Sequence, residues 1–291
     1  MVNSGIQKYL FNKNHSLQIE IVDLAALTKT YGALLYTPHR TNFYHIFLFD
    51  RCSPKHIVDF QPVKILPYSL LFINKDNVHL FDRSSFYAGR GLIFTDDFFC
   101  ITQDDKRFLR SITAYNDLFG TAAIPLGKQY AAFVSLFDQI DFELHLPADQ
   151  NQHRIIKNML HNVLLLAERQ KRSRGGKELP KGTDLEYTML FKDLLDERFL
   201  TLKKVSEYSV LLHLSEKRLT HATITMLGTT PKQMIDERVL LESKRLLSHT
   251  SNSIKEISFS LGFDEPSNFI KYFRKHTQQT PVEFRQIYSL Q

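Results

Sequence analysis

The chain has 291 residues, 43% of them hydrophobic and 23% charged, two cysteines and a formal charge of +6. That length suggests about two domains. No apolar run approaches the ~20 residues of a membrane span, the start at Met1 lacks the charged-then-apolar pattern of a signal peptide, and Cys52 and Cys100 make no metal-binding spacing. A reducing cytoplasm is the expected setting, with no membrane partner.

The positive charge is unevenly placed. Residues 1–168 hold 16 Lys/Arg and 16 Asp/Glu, whereas 169–183 carry six basic residues against Glu178. Residues 184–291 hold 15 basic and 14 acidic. Any phosphate affinity of the last third must therefore come from where its charges sit, not from their sum.

In chain order, the first ~125 residues read as short strands between turns, a pattern of sandwiches and small barrels. The strand candidates are Ile19 and Ile21, Ala33-Leu34-Leu35, His45 to Phe49, His56 to Val58, Ser69 to Ile73, Val78 to Phe81 and Gly91 to Phe94. Asn74-Lys75-Asp76-Asn77 is a turn candidate. From 128 to 170 the period becomes helical: Tyr130, Phe133, Val134, Phe137 and Ile140, then Ile155, Ile156, Met159, Leu160, Val163, Leu164 and Leu166. Pro147 separates the two helices. Their apolar faces suit either packing on the strands or a homodimer interface. Residues 171–183 are polar and glycine-rich and read as a linker.

The last part, 184–291, is all helical and repeats itself. Leu219 recurs 50 residues on as Phe269, Gly228 as Gln278, Thr230-Pro231 as Thr280-Pro281 and Met234 as Phe284. Each copy reads as a short helix, a turn, a second short helix and a Thr-Pro helix start. In the first copy Ser215 is an N-cap, and Lys217, Thr220 and His221 share a face opposite Leu219 and Ala222. Thr230 to Gln233 forms a capping box, opening a helix through about 248. In the second copy Ser253 to Glu256 forms another, Gly262 occupies the turn, and Asp264 is the expected cap of a helix with Pro266 in its first turn. Ser267, Asn268 and Lys271 are then left outside. Asn can pair with adenine, and Lys can reach guanine or phosphate. Two such units can place two reading helices in adjacent major-groove segments about 34 Å apart. Double-stranded DNA is the expected partner.

The run Ile254-Lys255-Glu256-Ile257, Gly262-Phe263, Pro266-Ser267, Phe269, Phe273-Arg274-Lys275, Thr280-Pro281 and Phe284-Arg285 resembles the AraC/XylS family of bacterial transcription regulators over about 195–288. The resemblance implies two recognition helices in successive grooves. Lys217, Thr220 and His221 match the base-contacting positions of the first, and Pro266, Ser267, Asn268 and Lys271 those of the second. It also implies RNA polymerase as a partner and a role mostly as an activator. Three kinds of departure stand out: Gln278 and His213 in place of turn glycines, Ser209 and Ser258 in place of alanines, and no arginine on the groove face of the first helix.

The strands resemble the cupin-like β-barrel that precedes this reader in the family. The expected fold is thus α+β, with a cupin-like domain over 1–170, a linker over 171–183 and a tandem helix-turn-helix domain over 184–291. Pro38 to His45 is similar to the first cupin motif and Val78-His79 to the second. Thr41 stands where a metal-binding cupin has its second histidine, and His45 stands where it has an acid. A three-histidine zinc or iron site from His39, His45 and His79 remains an alternative. The reading preferred here has no metal or cofactor and a small-molecule effector, with Arg40, His45 and His79 as candidate contacts. No nucleophile-base set or phosphate-cradling loop is present, so no enzyme is expected. The alternatives are a cupin-fold metal enzyme and a DNA-binding protein without a ligand.

Overall fold

A computed structural model describes residues 6–12, 17–115, 123–173 and 182–288. Gln7–Lys177 form one compact unit, and Glu178–Gln291 make up the bulk of a second. In the first, β1 (Gln7–Tyr9), β3 (His39–Thr41), β8 (His79–Phe81), β5 (Lys55–Val58) and β6 (Gln61–Lys64) form one sheet in that order. The other sheet runs β10 (Ile124–Pro125), β7 (Ser69–Ile73), β4 (Tyr44–Phe49), β9 (Gly89–Phe94) and β2 (Ile19–Asp23). The sheets stay separate: among the described residues no strand pairing closes them into the expected barrel. Edge strand β10 is two residues long, and edge strand β6 carries Pro62, which has no N–H to donate.

Strand β4 explains the arrangement. All six of its residues are buried, and it pairs antiparallel with β7 on one side and β9 on the other. Successive side chains face opposite ways. Tyr44, Ile46 and Leu48 join one apolar cluster, while Phe47 and Phe49 join another with Val58, Val63 and Phe81 of the facing sheet. A strand covered on both faces reads as a continuous apolar run rather than an alternating one.

The cover on the first face is the helical pair α4 (Tyr130–His145) and α5 (Gln152–Ser173). Phe133, Phe137, Ile140, Ile156, Leu160, Val163 and Leu164 are buried in the same cluster as Ile46 and Leu48. Each large side chain so buried contributes about 1.5–3 kcal/mol. The apolar stripe predicted from sequence is therefore consumed by the sheet, leaving Phe142, Ile155 and Leu165 exposed. Gln152 turns the corner near Pro147, donating to the carbonyls of Glu143 and Leu146 at 2.8 and 3.2 Å. Helix α5 runs through Ser173, three residues into the expected linker; residues 174–181 of that linker lie outside the described residues.

One predicted strand is wrong. Ala33-Leu34-Leu35 ends a helix, α1 (Leu24–Leu35), capped by Asp23, whose carboxylate accepts from the Ala26 N–H at 2.7 Å. A short apolar run fits a helix as well as a strand by period alone; here the cap and three alanines decide. Two short helices, α2 (Asp96–Phe99) and α3 (Gln103–Ser111), follow β9 and were not anticipated. The turn at 74–77 is present, with Asp76 at φ 64° and the Asn77 N–H on the Asn74 carbonyl.

The second unit contains α6 (Thr183–Arg198), α7 (Val205–Leu211), α8 (Glu216–Leu227), α9 (Pro231–His249), α10 (Ile254–Ser260), α11 (Pro266–Thr277) and α12 (Pro281–Tyr288). The capping boxes fall where the sequence puts them. Thr230 and Gln233 cap α9, Ser253 and Glu256 cap α10, and Thr280 and Glu283 cap α12. Such caps are each worth about 1 kcal/mol. Leu247, Ile257, Leu261, Phe269, Phe273 and Phe284 form the core of the second copy. In the first, Phe191, Tyr208, Leu219, Ala222, Ile235 and Val239 are buried.

Candidate nucleic-acid interface

The two copies make the same turn with the same bonds. After α7, the N–H groups of His213 and Leu214 donate to Val210 and Ser209; after α10, those of Gly262 and Phe263 donate to Phe259 and Ser258. His213 and Gly262 are both left-handed, at φ 55° and 80°. Helices α8 and α11 end alike too, on Gly228 and Gln278 at φ 71° and 62°. Gln278 thus adopts the conformation of the glycine it replaces. Ser209 and Ser258 are both buried, with hydroxyls that find no partner.

The turns differ by one residue. Ser215 caps α8, accepting from the Arg218 N–H at 3.2 Å. The cap of α11 is Glu265, not Asp264 as expected. Pro266 holds the residue before it extended, at φ −138° and ψ 141°, which is N-cap geometry. Proline at the first helical position needs no donor for its absent N–H.

On α8, Leu219 and Ala222 are fully buried, while Lys217 and His221 are exposed and Thr220 half-buried. On α11, Phe269 and Phe273 point inward, while Ser267, Asn268 and Lys271 are exposed and Pro266 half-buried. Each predicted set therefore shares one outward face of its own helix. Arg274, Lys275 and His276 add positive charge in the last turn of α11. Sequence reasoning missed Arg218: its guanidinium pairs with Asp184 of α6 and stacks 4.9 Å over Tyr187.

Between the two helices lies α9, 19 residues or about 28 Å long. Its Glu242 carboxylate accepts from Arg245 and Arg238 at 2.9 and 3.3 Å, and Arg238 also holds Asp196 of α6 at 2.9 Å. The bond from the Tyr272 hydroxyl to the Asp236 carbonyl, 2.6 Å, ties α11 to the same helix.

In the first unit, the candidate effector residues separate. His39 and His79 are direct partners across β3 and β8, and their rings lie 4.4 Å apart. His45 reaches the same place from the other sheet, 4.9 Å from His79. Strand alternation sends Arg40 to the opposite side of β3, away from these rings. A fourth ring, that of His56, was missed: its Nε2 lies 3.2 Å from His79 Nδ1. Its period-two match with the buried Val58 was the available signal.

All four histidines are buried. Burial, reinforced by the neighbouring imidazoles, lowers their proton affinity: His45 and His56 fall to about 3, and His79 also falls well below the ordinary value. His39 falls less; its Nδ1 donates to the Thr37 carbonyl at 2.8 Å. The rings are therefore neutral at pH 7. One N–H joins His56 to His79, so one of the two outer nitrogens, His56 Nδ1 and His79 Nε2, is a donor and the other an acceptor. Neither finds a partner, nor does His45 Nδ1. The rings meet, but among the described residues no three His, Cys, Asp or Glu groups are placed to hold a metal ion.

Paired turns, matched caps and two outward polar faces define a tandem helix-turn-helix reader. Residues 208–287 match the helix-turn-helix domain family. The curated proteins the chain is similar to carry the names of HTH-type transcription regulators. The chain is 20% identical over 256 residues to the HTH-type transcriptional activator RhaS of Salmonella dublin, covering 86% of this chain and 88% of that protein. It is 30% identical over 95 residues, a third of each chain, to the uncharacterized HTH-type transcriptional regulator YisR of Bacillus subtilis. Among solved structures, an AraC-type regulator from Chromobacterium violaceum aligns over 35% of this chain and 90% of its own, at 25% identity and a TM-score of 0.32. The DNA-binding domain of AdpA, solved with a target DNA, aligns over 34% of this chain and 92% of its own, at 19% identity and a TM-score of 0.31. No described helix is long and apolar enough to cross a membrane.

Proposed function

We propose that the chain is a sequence-specific transcription regulator of the AraC/XylS type that reads double-stranded DNA through α8 and α11. The carrying observation is the pair of reading helices, set by the same turn bonds and presenting Lys217, Thr220 and His221 on one and Ser267, Asn268 and Lys271 on the other. Pro266 sets the entry of the second. The operator then has two half-sites one helical turn apart. An operator selected by the full-length protein from a randomised pool provides the test. Inserting five base pairs between its half-sites turns them to opposite faces. With each lost base contact costing about 1–3 kcal/mol, affinity should fall on the order of a hundredfold. Unchanged affinity would sink the two-helix reading.

In this proposal residues 1–170 are a cupin-like sensor for a small-molecule effector, joined by the 171–183 stretch to the reader at 184–291. The chain works in the cytoplasm as a homodimer, mostly as an activator in contact with RNA polymerase. The unpartnered nitrogens of His45 and His79 support a polar ligand contact, and the exposed Phe142, Ile155 and Leu165 supply apolar surface for a second copy. Such a sensor acts only by favouring one state of the protein over another. Removing residues 1–170 should therefore change how reporter expression responds to growth conditions. A fragment that activates as the intact chain does in every condition would remove the sensor from the account.

A further inference from the structure

Helix α8 is tied down by a carboxylate, and α11 is not. Asp184, in the first turn of α6, pairs with the Arg218 guanidinium and lies 3.6 Å from His221 Nδ1. Arg218 is also 3.4 Å from that same nitrogen and packs its flat face on the Tyr187 ring. Arg218 stands in the first turn of α8, one residue from Lys217. Among the described residues no ion pair involves α11.

We propose that Asp184 is a positioning residue that holds the Arg218 side chain of the first reading helix against α6 and withholds it from the DNA phosphates. The inference rests on the DNA-reading function proposed above. An arginine in the first turn of a groove-entering helix is suited to a bidentate grip on a phosphate. Here one arm of its fork is already engaged, Nη1 donating to the Asp184 carboxylate. The same carboxylate stands beside His221, where it repels an approaching phosphate.

The location gives the contact a use. Asp184 comes two residues after Gly182, which sits at φ 147°, a conformation that side-chain-bearing residues rarely adopt. The chain leaving the 171–183 stretch thus enters the reader at the residue that restrains Arg218. Any displacement of that first turn of α6 releases a cation beside the groove, so the grip of the first helix on the backbone depends on how the chain enters.

The test uses the full-length protein and a 30-base-pair duplex of arbitrary sequence, because non-specific affinity is set by phosphate contacts. Wild type, D184N, R218A and the double variant are compared by fluorescence anisotropy over a salt series, with melting curves to confirm folding. D184N should bind roughly three- to tenfold tighter and steepen the slope of log affinity against log salt by about 0.9, the signature of one more neutralised phosphate. In the R218A background the same change should alter the slope little. D184A supplies a second removal of the charge should D184N not fold. Unchanged or weaker binding by a folded Asp184 variant at unchanged slope would overturn the proposal, as would an equal effect with and without Arg218. Failure of the wild type to bind DNA at all would overturn the functional reading as well, so the two failures are told apart.

Discussion

Lowering the pH from 6.5 to 4.5 is expected to destabilise the 7–177 unit steeply. His45 and His56 titrate near 3 when folded and near 6.5 when unfolded. Between those values the unfolded chain binds protons that the folded chain refuses, so stability falls as pH falls and is unaffected above about pH 7. Each such ring contributes a slope of about 1.4 kcal/mol per pH unit. Two rings over two units amount to about 5 kcal/mol, comparable with the whole stability of a small domain. His79 adds to the slope in the same direction. Carboxylates do not confuse the reading, because Asp105, held down to about 2 by Lys157 and Thr102 against the opposing effect of its own burial, loses its contribution only below about 4. Melting curves at half-unit pH intervals would show the effect, and His56→Gln should flatten it. A melting temperature level from pH 7 to 5 would mean that the rings protonate in place without opening the sheets.

The second large effect concerns Gly262. A Cβ there would lie 1.9 Å from the Leu200 carbonyl oxygen, which is backbone and cannot swing aside. Gly262→Ala should therefore suffer twice: the left-handed conformation costs about 1–2 kcal/mol, and the clash must push the α6–α7 connection off the α10–α11 turn. A loss of roughly 3 kcal/mol or more is expected. Gly228 is the internal control, with a similar φ of 71° but nothing within 4 Å of its missing side chain. Gly228→Ala should cost only the conformational part, about 1–2 kcal/mol. Urea denaturation of the two variants settles the comparison; equal losses would show that the Leu200 contact is easily relieved. Gln278→Gly, at φ 62°, should stabilise by up to about 1 kcal/mol.

The contrast between legible and illegible features follows the range of the interactions that make them. The reader was visible because caps, turns and helical period lie within a few residues of one another. Thr230 with Gln233, Ser253 with Glu256 and the left-handed Gly262 need no distant partner. The Glu265 cap was misplaced by one residue because Ser, Asp and Glu near a proline offer competing starts, and backbone restriction by Pro266 decided. In the first unit the strands of the apolar runs were legible, but the short β1, β3, β6 and β10 were not, nor was what the strands bring together. His39 and His79 are 40 residues apart, and His45 comes from the opposite sheet, so pairing and register had to be known first. Asp184 and Arg218, 34 residues apart, were hidden for the same reason. Helix α1 was lost to the ambiguity of Ala33-Leu34-Leu35, which lies far from the Asp23 cap that determines it.

Helix α9 belongs to both copies of the repeat, since it closes the first and supports the second. On the proposed reading it acts as a ruler whose length is set by Pro231 at one end and Thr250 at the other, stiffened along its side by the Glu242 and Arg238 ion pairs. A protein built this way can acquire new binding sites by exchanging single outward residues such as Asn268 or Thr220. It cannot easily change the interval between the two letters groups it reads. Regulatory sequences answering to it would be free to drift in composition, yet held to one length, and insertions or deletions between half-sites would be removed more strictly than substitutions within them.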